Sequence, residues 1–327
     1  MKPTVLITGG NGFIGKRLTD ALLQEGYKVR VVSRRRPHTQ PVNPDVSIVQ
    51  VDYNDIESVK KALQDCVMVY HLAAAIFGFK YKDFEQANVQ VTHNLVQAAN
   101  QTNCLKRFIY MSSLAASGFA TDPAYPRLET DAPCPISDYG ITKLGGEKEV
   151  MALRCDINWT IMRAPIVYGG SESGVSKIAA WVKRGLMINT SGNGIFSFVY
   201  VQDLVKALVS ASHLAGTEKQ IFFVCEEQTY TWNEFIEKMA RAMGVHKPFM
   251  PHAPVWLMRV AAAIYSLVAR VTGAQPALNY DKVKEAIIDG HWICSGAKWQ
   301  KLSGQSFTSL EDGLHKSFTK NNQREGI

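Results

Sequence analysis

The stretch Gly9-Gly10-Asn11-Gly12-Phe13-Ile14-Gly15 constrains this chain most, because of what flanks it. A short β-branched run, Thr4–Thr8, leads into it, and an amphipathic pattern over Ile14–Glu25 follows, with Leu18, Ala21 and Leu22 at helical spacing. Glycine adopts dihedrals that other residues avoid and has no Cβ to hold an anion at a distance. A strand that turns through such a loop into a helix presents backbone N–H groups and the positive end of the helix dipole to a pyrophosphate. Three glycines alone mark only a tight turn. Between a first strand and a first helix they mark a dinucleotide site, with Gly9, Asn11, Gly12, Phe13, Ile14 and Gly15 as its cradle.

The same alternation continues. Further strand-like runs lie at Lys28–Ser33, Val46–Val51, Val67–Leu72, Phe108–Ser112 and Trp159–Arg163, separated by helical patterns at Ile56–Asp65, Phe84–Gln101 and Tyr139–Arg154. Strands alternating with amphipathic helices predict an α/β fold, a doubly wound parallel sheet covered on both faces. After about residue 165 the pattern breaks into glycine-rich loops. The expected division is a dinucleotide-binding domain over 1–165, with a returning strand near 220–224, and a smaller substrate lobe over 166–327. The lobe carries helical patterns at Trp232–Met243 and Val255–Val271. Only ten uncharged residues separate Arg259 from Arg270 in the second of these, too few to span a bilayer. It reads as a buried helix or pocket wall, with an interfacial membrane helix as the alternative, so no integral membrane segment is expected.

Composition narrows the function classes. At 327 residues, 46% hydrophobic and 20% charged, the chain is an ordinary globular one, which excludes disordered and fibrous readings. Its six cysteines are scattered without a Cys-x-x-Cys pair, so neither a zinc site nor a disulfide framework is expected, and no metal is assigned. The N-terminus enters the first strand with no room for a signal peptide, giving a cytoplasmic expectation. The charge of +7 suits anionic ligands or simple solubility, and no basic run interleaves with aromatics, so nucleic acid is not expected as a partner.

The dinucleotide is read at the end of the second strand. An acid there binds the ribose hydroxyls of NAD, but this chain has Ser33-Arg34-Arg35-Arg36. A guanidinium pairs with a 2′-phosphate, so NADP(H) is favoured over NAD(H), with Arg34 as the contact and Ser33 as a donor beside it. Asp52, with Tyr53 beside it, stands where a carboxylate can accept from the adenine amino group; capping a turn is its other reading. Leu72, Ala73 and Ala74 offer small side chains past which backbone can approach the cofactor, or plain core packing.

The chemistry is read from Tyr139-Gly140-Ile141-Thr142-Lys143. Residues four apart share one helix face, and an ammonium beside a phenol stabilises the phenolate that a general acid/base must form. The spacing recurs at Tyr280-Asp281-Lys282-Val283-Lys284, which lacks the strand–helix context and reads as a surface helix. Ser113 separates the two: at the end of the fifth strand, in Tyr110-Met111-Ser112-Ser113, its hydroxyl can bind a substrate oxygen while Tyr139 exchanges a proton.

With these motifs the chain resembles the extended short-chain dehydrogenases/reductases, the NAD-dependent epimerase/dehydratase superfamily. The resemblance also rests on His71-Leu72-Ala73-Ala74, Asn88-Val89, Arg163-Ala164-Pro165-Ile166-Val167-Tyr168-Gly169, Tyr200-Val201-Gln202-Asp203-Leu204 and Leu310-Glu311-Asp312-Gly313-Leu314, nearly the whole length. It implies a Rossmann fold, Tyr139 as proton donor and acceptor, and Lys143 as orienter of the nicotinamide ribose and the tyrosine. Ser113 would steady the substrate oxygen, Asn88 would lie near the cofactor, and Pro165, Ile166 and Val167 would run past the nicotinamide. It also implies a homodimer through helices 84–101 and 139–154, where Gly145 and Gly146 would allow close approach, with packing inside one chain as the other reading of those glycines.

Within that branch, sugar-nucleotide enzymes place an arginine where Phe196 stands, and an aromatic ring cannot neutralise a pyrophosphate. Dehydratases add an acidic pair after the serine, where this chain has Leu114-Ala115. Phe77, Leu114 and Phe196 are therefore expected to line an apolar substrate site, similar to the steroid dehydrogenase and dihydroflavonol-reductase group. The function expected is an NADP(H)-dependent oxidoreductase interconverting a ketone or aldehyde and a secondary alcohol on a hydrophobic small molecule. A nucleotide-sugar epimerase or dehydratase with tightly bound NAD, and a nucleotide-sensing binding protein, are the alternatives.

Overall fold

The computed structural model describes residues 2–35, 41–170, 174–187, 194–251, 260, 281, 284, 285, 288 and 290–322. The helical pattern expected over 255–271, apart from residue 260, lies outside the described residues, as does Arg36.

The centre is a seven-stranded, all-parallel sheet. It comprises β1 (Thr4–Thr8), β2 (Lys28–Ser33), β3 (Val46–Gln50), β4 (Cys66–His71), β5 (Arg107–Ser113), β6 (Asn158–Ala164) and β9 (Gln220–Phe223), in the order β3-β2-β1-β4-β5-β6-β9. The order reverses direction between β1 and β4, the position at which doubly wound sheets open a crevice at the carboxyl ends of their strands. Helices α1 (Phe13–Gln24), α2 (Ile56–Leu63), α4 (Val91–Asn100), α6 (Asp138–Met151) and α8 (Val201–Ala211) cover it.

Alternation along each strand divides the core between two faces. Val5 and Ile7 pack with Leu18, Leu22 and Leu208 on one side; Leu6 packs with Leu63, Leu95 and Val150 on the other. The near-continuous apolar runs of β1, β4 and β5 follow from this double burial.

Two departures from the sequence pattern matter for the site. The single helix expected over 84–101 is three pieces: α3 (Tyr81–Glu85), a π-helical turn Gln86–Gln90, and α4. The widened turn carries Asn88, and such bulges often occur at functional positions. The second departure is a small sheet, β10-β8-β7, built from β7 (Ile166–Tyr168), β8 (Ile195–Tyr200) and β10 (Thr229–Thr231). With α7 (Gly174–Lys183), α9 (Trp232–Ala242) and α11 (Leu310–Asn322) it forms the lobe core, where Phe198 stacks on Phe235 at 4.7 Å. Between the sheet and that last helix, α10 (Ala297–Ser303) seats Trp299 edge-on against Phe222 of β9.

Candidate active site

The glycine loop takes the shape its spacing requires. Gly9 adopts φ +71°, and a Cβ there would lie 2.8 Å from Ala73 N; a Cβ on Gly15 would collide with Gly9 O. Gly12 N donates to Gly9 O at 3.0 Å. Helix α1 then opens with neither a side-chain cap nor an acidic first turn, so its leading N–H groups meet no anion of their own helix. That donor set fits a pyrophosphate. Asn11 is exposed, and Phe13 and Ile14 are half-buried.

Arg34, Asp52 and Tyr53 come together, as walls of one cavity of about 420 Å³ shared with Asn54, Gln86 and Ala87. Asp52 Oδ1 accepts from Asn54 N at 2.9 Å, so this carboxylate closes a turn as well as facing the cavity. Ser33 Oγ accepts from Arg35 N at 3.2 Å. Burial pushes the Tyr53 hydroxyl far up its titration range, against the pull of Arg34. Leu72 and Ala73 are half-buried and Ala74 exposed, with Ala73 N donating to Thr8 Oγ1 at 3.1 Å.

Ser113 ends β5, and Lys143 is anchored to the same strand. Ser113, opposite Ala164 in the β5–β6 register, is half-buried, and its Oγ accepts from Ala115 N at 3.2 Å. That bond leaves the hydroxyl hydrogen available to a ligand. Pro165, Ile166 and Val167 follow Ala164, all half-buried. Tyr139 is half-buried in the first turn of α6, whose opening is capped twice: Ser137 Oγ accepts from Gly140 N at 3.0 Å, and the buried Asp281 accepts from Asp138 N at 2.6 Å and Tyr139 N at 3.2 Å. Asp281 belongs to the stretch read from sequence as a surface helix. Its side chain is instead 6% exposed and fixes the backbone of Tyr139, because the open N–H groups of α6 need an acceptor.

One turn on, Lys143 is only 1% exposed. Its Nζ donates to Tyr110 Oη at 2.8 Å and to Met111 O at 2.7 Å. Burial pulls this ammonium down to about 7, while the Glu147 carboxylate works in the opposite direction. Glu147 is itself fully buried. It holds Arg163 through two bonds, at 2.9 and 2.7 Å, and accepts from Ser112 Oγ. Asn88 pins Ala75 through both backbone groups, at 2.8 and 3.1 Å, and donates to Thr142 Oγ1 at 3.0 Å, tying the loop after β4 to α6.

The side chains named for the substrate lie in three settings. Phe77 is half-buried in the loop after β4. Leu114 is buried against Phe223, Cys225 and Cys294, and Phe196 lies edge-on to Trp232 at 5.8 Å. Gly145 and Gly146 face their own chain: a Cβ would press on Val89 at the first and on Tyr110 Oη at the second. Their small size serves packing within one subunit. The sequence motifs include His71, Tyr110 and Arg163 but assign them no role, and they leave out Thr92 and Glu147. Glu147 could have been found four residues beyond Lys143, on the same helix face.

Fold and site together define an NAD(P)-binding enzyme of the extended short-chain dehydrogenase/reductase type. The chain belongs to the NAD-dependent epimerase/dehydratase family, whose model matches residues 5–225. It is 34% identical over 220 residues to the uncharacterized protein y4nG of Sinorhizobium fredii, covering 65% of this chain and 54% of that one. It is 27% identical to the UDP-glucose 4-epimerase of Vibrio cholerae over 290 residues, covering 84% of this chain and 86% of that protein. It is 26% identical to the ceramide reductase of Caulobacter vibrioides over 319 residues, 95% and 92% of the two chains. The solved structure of MoeE5 in complex with UDP-glucuronic acid and NAD shares the fold, with a TM-score of 0.77 at 22% identity over 98% of this chain and 99% of that one. Among the described residues no helix is long and apolar enough to cross a membrane.

Proposed function

We propose that this protein is an NADP(H)-dependent oxidoreductase that interconverts a ketone or aldehyde and a secondary alcohol on a hydrophobic small molecule. The observation that carries the reading is the buried Lys143, held by Tyr110 and Met111 one helical turn from Tyr139 and beside the Ser113 edge. When bound, the nicotinamide supplies the hydride for reduction or takes it up in oxidation. The Tyr139 phenol donates its proton to the carbonyl oxygen, and the Ser113 hydroxyl donates a hydrogen bond to the same oxygen as charge develops there. The Lys143 ammonium steadies the resulting phenolate and holds the nucleotide ribose. Arg34, on the cavity wall with Asp52 and Tyr53, supports NADP(H) through a 2′-phosphate.

The apolar substrate reading rests on Phe196 in place of a phosphate-holding arginine, and the relative named as a ceramide reductase is in keeping with it. A second reading, a nucleotide-sugar epimerase retaining NAD, is favoured by the relative named as a UDP-glucose 4-epimerase. Purified protein assayed for NADPH oxidation across hydrophobic ketones and aldehydes, beside UDP-sugar interconversion, separates the two. Carbonyl-dependent NADPH oxidation that falls about 10²-fold or more in Tyr139→Phe supports the oxidoreductase. UDP-sugar interconversion without net redox overturns it.

A further inference from the structure

Beneath Lys143 lies a chain of buried hydroxyls and one imidazole that the reaction as written leaves unused. Thr8, His71 and Tyr110 end up side by side because β1, β4 and β5 pair in parallel, with Thr8 opposite His71 and His71 opposite Tyr110. His71 Nδ1 lies 2.6 Å from Thr8 Oγ1, and Nε2 lies 2.9 Å from Thr92 Oγ1. Thr92 in turn donates to Asn88 O at 2.7 Å, and the His71 ring lies 5.3 Å from the Tyr110 ring. All of these side chains are essentially inaccessible to water.

The hydrogens in this chain can be placed by elimination. Burial, helped by the nearby Lys143, holds His71 down to about 3, so its ring is neutral and carries one N–H. The Thr92 hydrogen goes to the Asn88 carbonyl, which accepts only. His71 Nε2–H must then donate to Thr92 Oγ1, and Nδ1 accepts from the Thr8 hydroxyl. Thr8 Oγ1 accepts the Ala73 N–H of the cofactor loop. Tyr110 Oη accepts from Lys143 Nζ at 2.8 Å. An ammonium has three N–H donors, and Tyr110 and Met111 O take two.

We propose that Tyr110 is a positioning residue for Lys143: its hydroxyl, on a ring packed beside His71, fixes the ammonium so that the remaining N–H serves the nucleotide ribose and Tyr139. The inference rests on the oxidoreductase reading for what Lys143 holds. The charged and titratable groups facing Lys143 are Glu147 and Tyr139 on its own helix, Tyr110 on β5, and His71 on β4; Arg163 on β6 neutralises Glu147. Removing the Tyr110 oxygen takes away a short acceptor from a buried cation and leaves the other groups in place.

The test is the pH dependence of NADPH affinity, followed by nicotinamide fluorescence in the full-length protein between about pH 5.5 and 9, where the lysine titrates. For Tyr110→Phe the affinity is expected to fall away at lower pH than in the native protein, by about one unit, and to be about tenfold weaker near pH 8. Thr92→Val, which removes a buried hydroxyl held by His71 and Asn88 O and not bonded to Lys143, is expected to keep the native profile, which separates positioning of the lysine from a general loss of packing. Superimposable profiles for the native protein and Tyr110→Phe, or an equal shift in Thr92→Val, overturn the role of Tyr110. If the native protein binds NADPH but reduces no carbonyl, the oxidoreductase reading fails while the pH shift still decides for or against Tyr110. If it binds no nicotinamide nucleotide, both fall together.

Discussion

Arg34 and Lys143 place two cations on one proposed nucleotide, and they differ in kind. Arg34 is exposed on a cavity wall and carries a permanent charge, whereas Lys143 is buried and titrates near neutrality. Arg34→Ala is therefore expected to weaken NADPH binding by about 10- to 100-fold, the worth of a charge-assisted hydrogen bond, and to change NADH binding little. Parallel fluorescence titrations with the two nucleotides check this; equal losses for both would contradict the 2′-phosphate role. At this scale the sequence was legible where chemistry is local. Tyr139 and Lys143 stand one helical turn apart, and Gly9 to Gly15 form one turn. Lys143 to Tyr110 spans 33 residues and Thr8 to His71 spans 63, so only the pairing of strands brings those groups together. Asp281 reaches Tyr139 from 142 residues away, and nothing in its own neighbourhood announces a cap.

Among elements, the β1–loop–α1 unit follows directly from hydrophobic period and glycine placement. The π turn at Gln86–Gln90 does not, since a single inserted residue leaves the apolar spacing on either side helical. The small β10-β8-β7 sheet was also hidden, because two of its strands have three residues each, too short for alternation to register. The junction of that lobe with the terminal helix α11 carries its own titration. Glu226 is buried, with Oε2 accepting from Leu310 N at 3.0 Å and Tyr230 Oη at 3.2 Å, and with Oε1 lacking a partner among the described residues. Burial raises its carboxyl from the ordinary 4.5 to about 7, with nearby Asp203 adding to the rise and Lys238 opposing it. The folded state thus binds a proton that the unfolded chain has released, over the interval between those two values. Its contribution to stability is full below about 4.5 and is lost as pH rises through about 7. Glu226→Gln is expected to flatten this fall, raising Tm by a few degrees at pH 8 and not at pH 4.5. Thermal melts across that range check it; an equal shift at both ends would contradict the linkage.

As a whole molecule, the chain joins a doubly wound sheet to a lobe along the carboxyl ends of the strands, and the groups proposed to react lie at that seam. The sequence pattern disclosed the sheet because its buried strands and covering helices repeat. It disclosed little of the lobe, whose pieces at 166–168, 195–200, 229–231 and 310–322 are gathered from distant stretches. The central claim is that the molecule carries out net hydride transfer between a nicotinamide and a hydrophobic carbonyl, with Tyr139 supplying the proton. Incubation of the protein with 4-deuterated NADPH and an accepted ketone, followed by mass analysis of the alcohol, tests it most directly. Prepared in each stereochemical form of the label, one form should pass its deuterium to the carbinol carbon, and Tyr139→Phe should suppress that transfer. An alcohol that carries no deuterium from either form, or transfer that persists at the native rate without the phenol, would contradict the account.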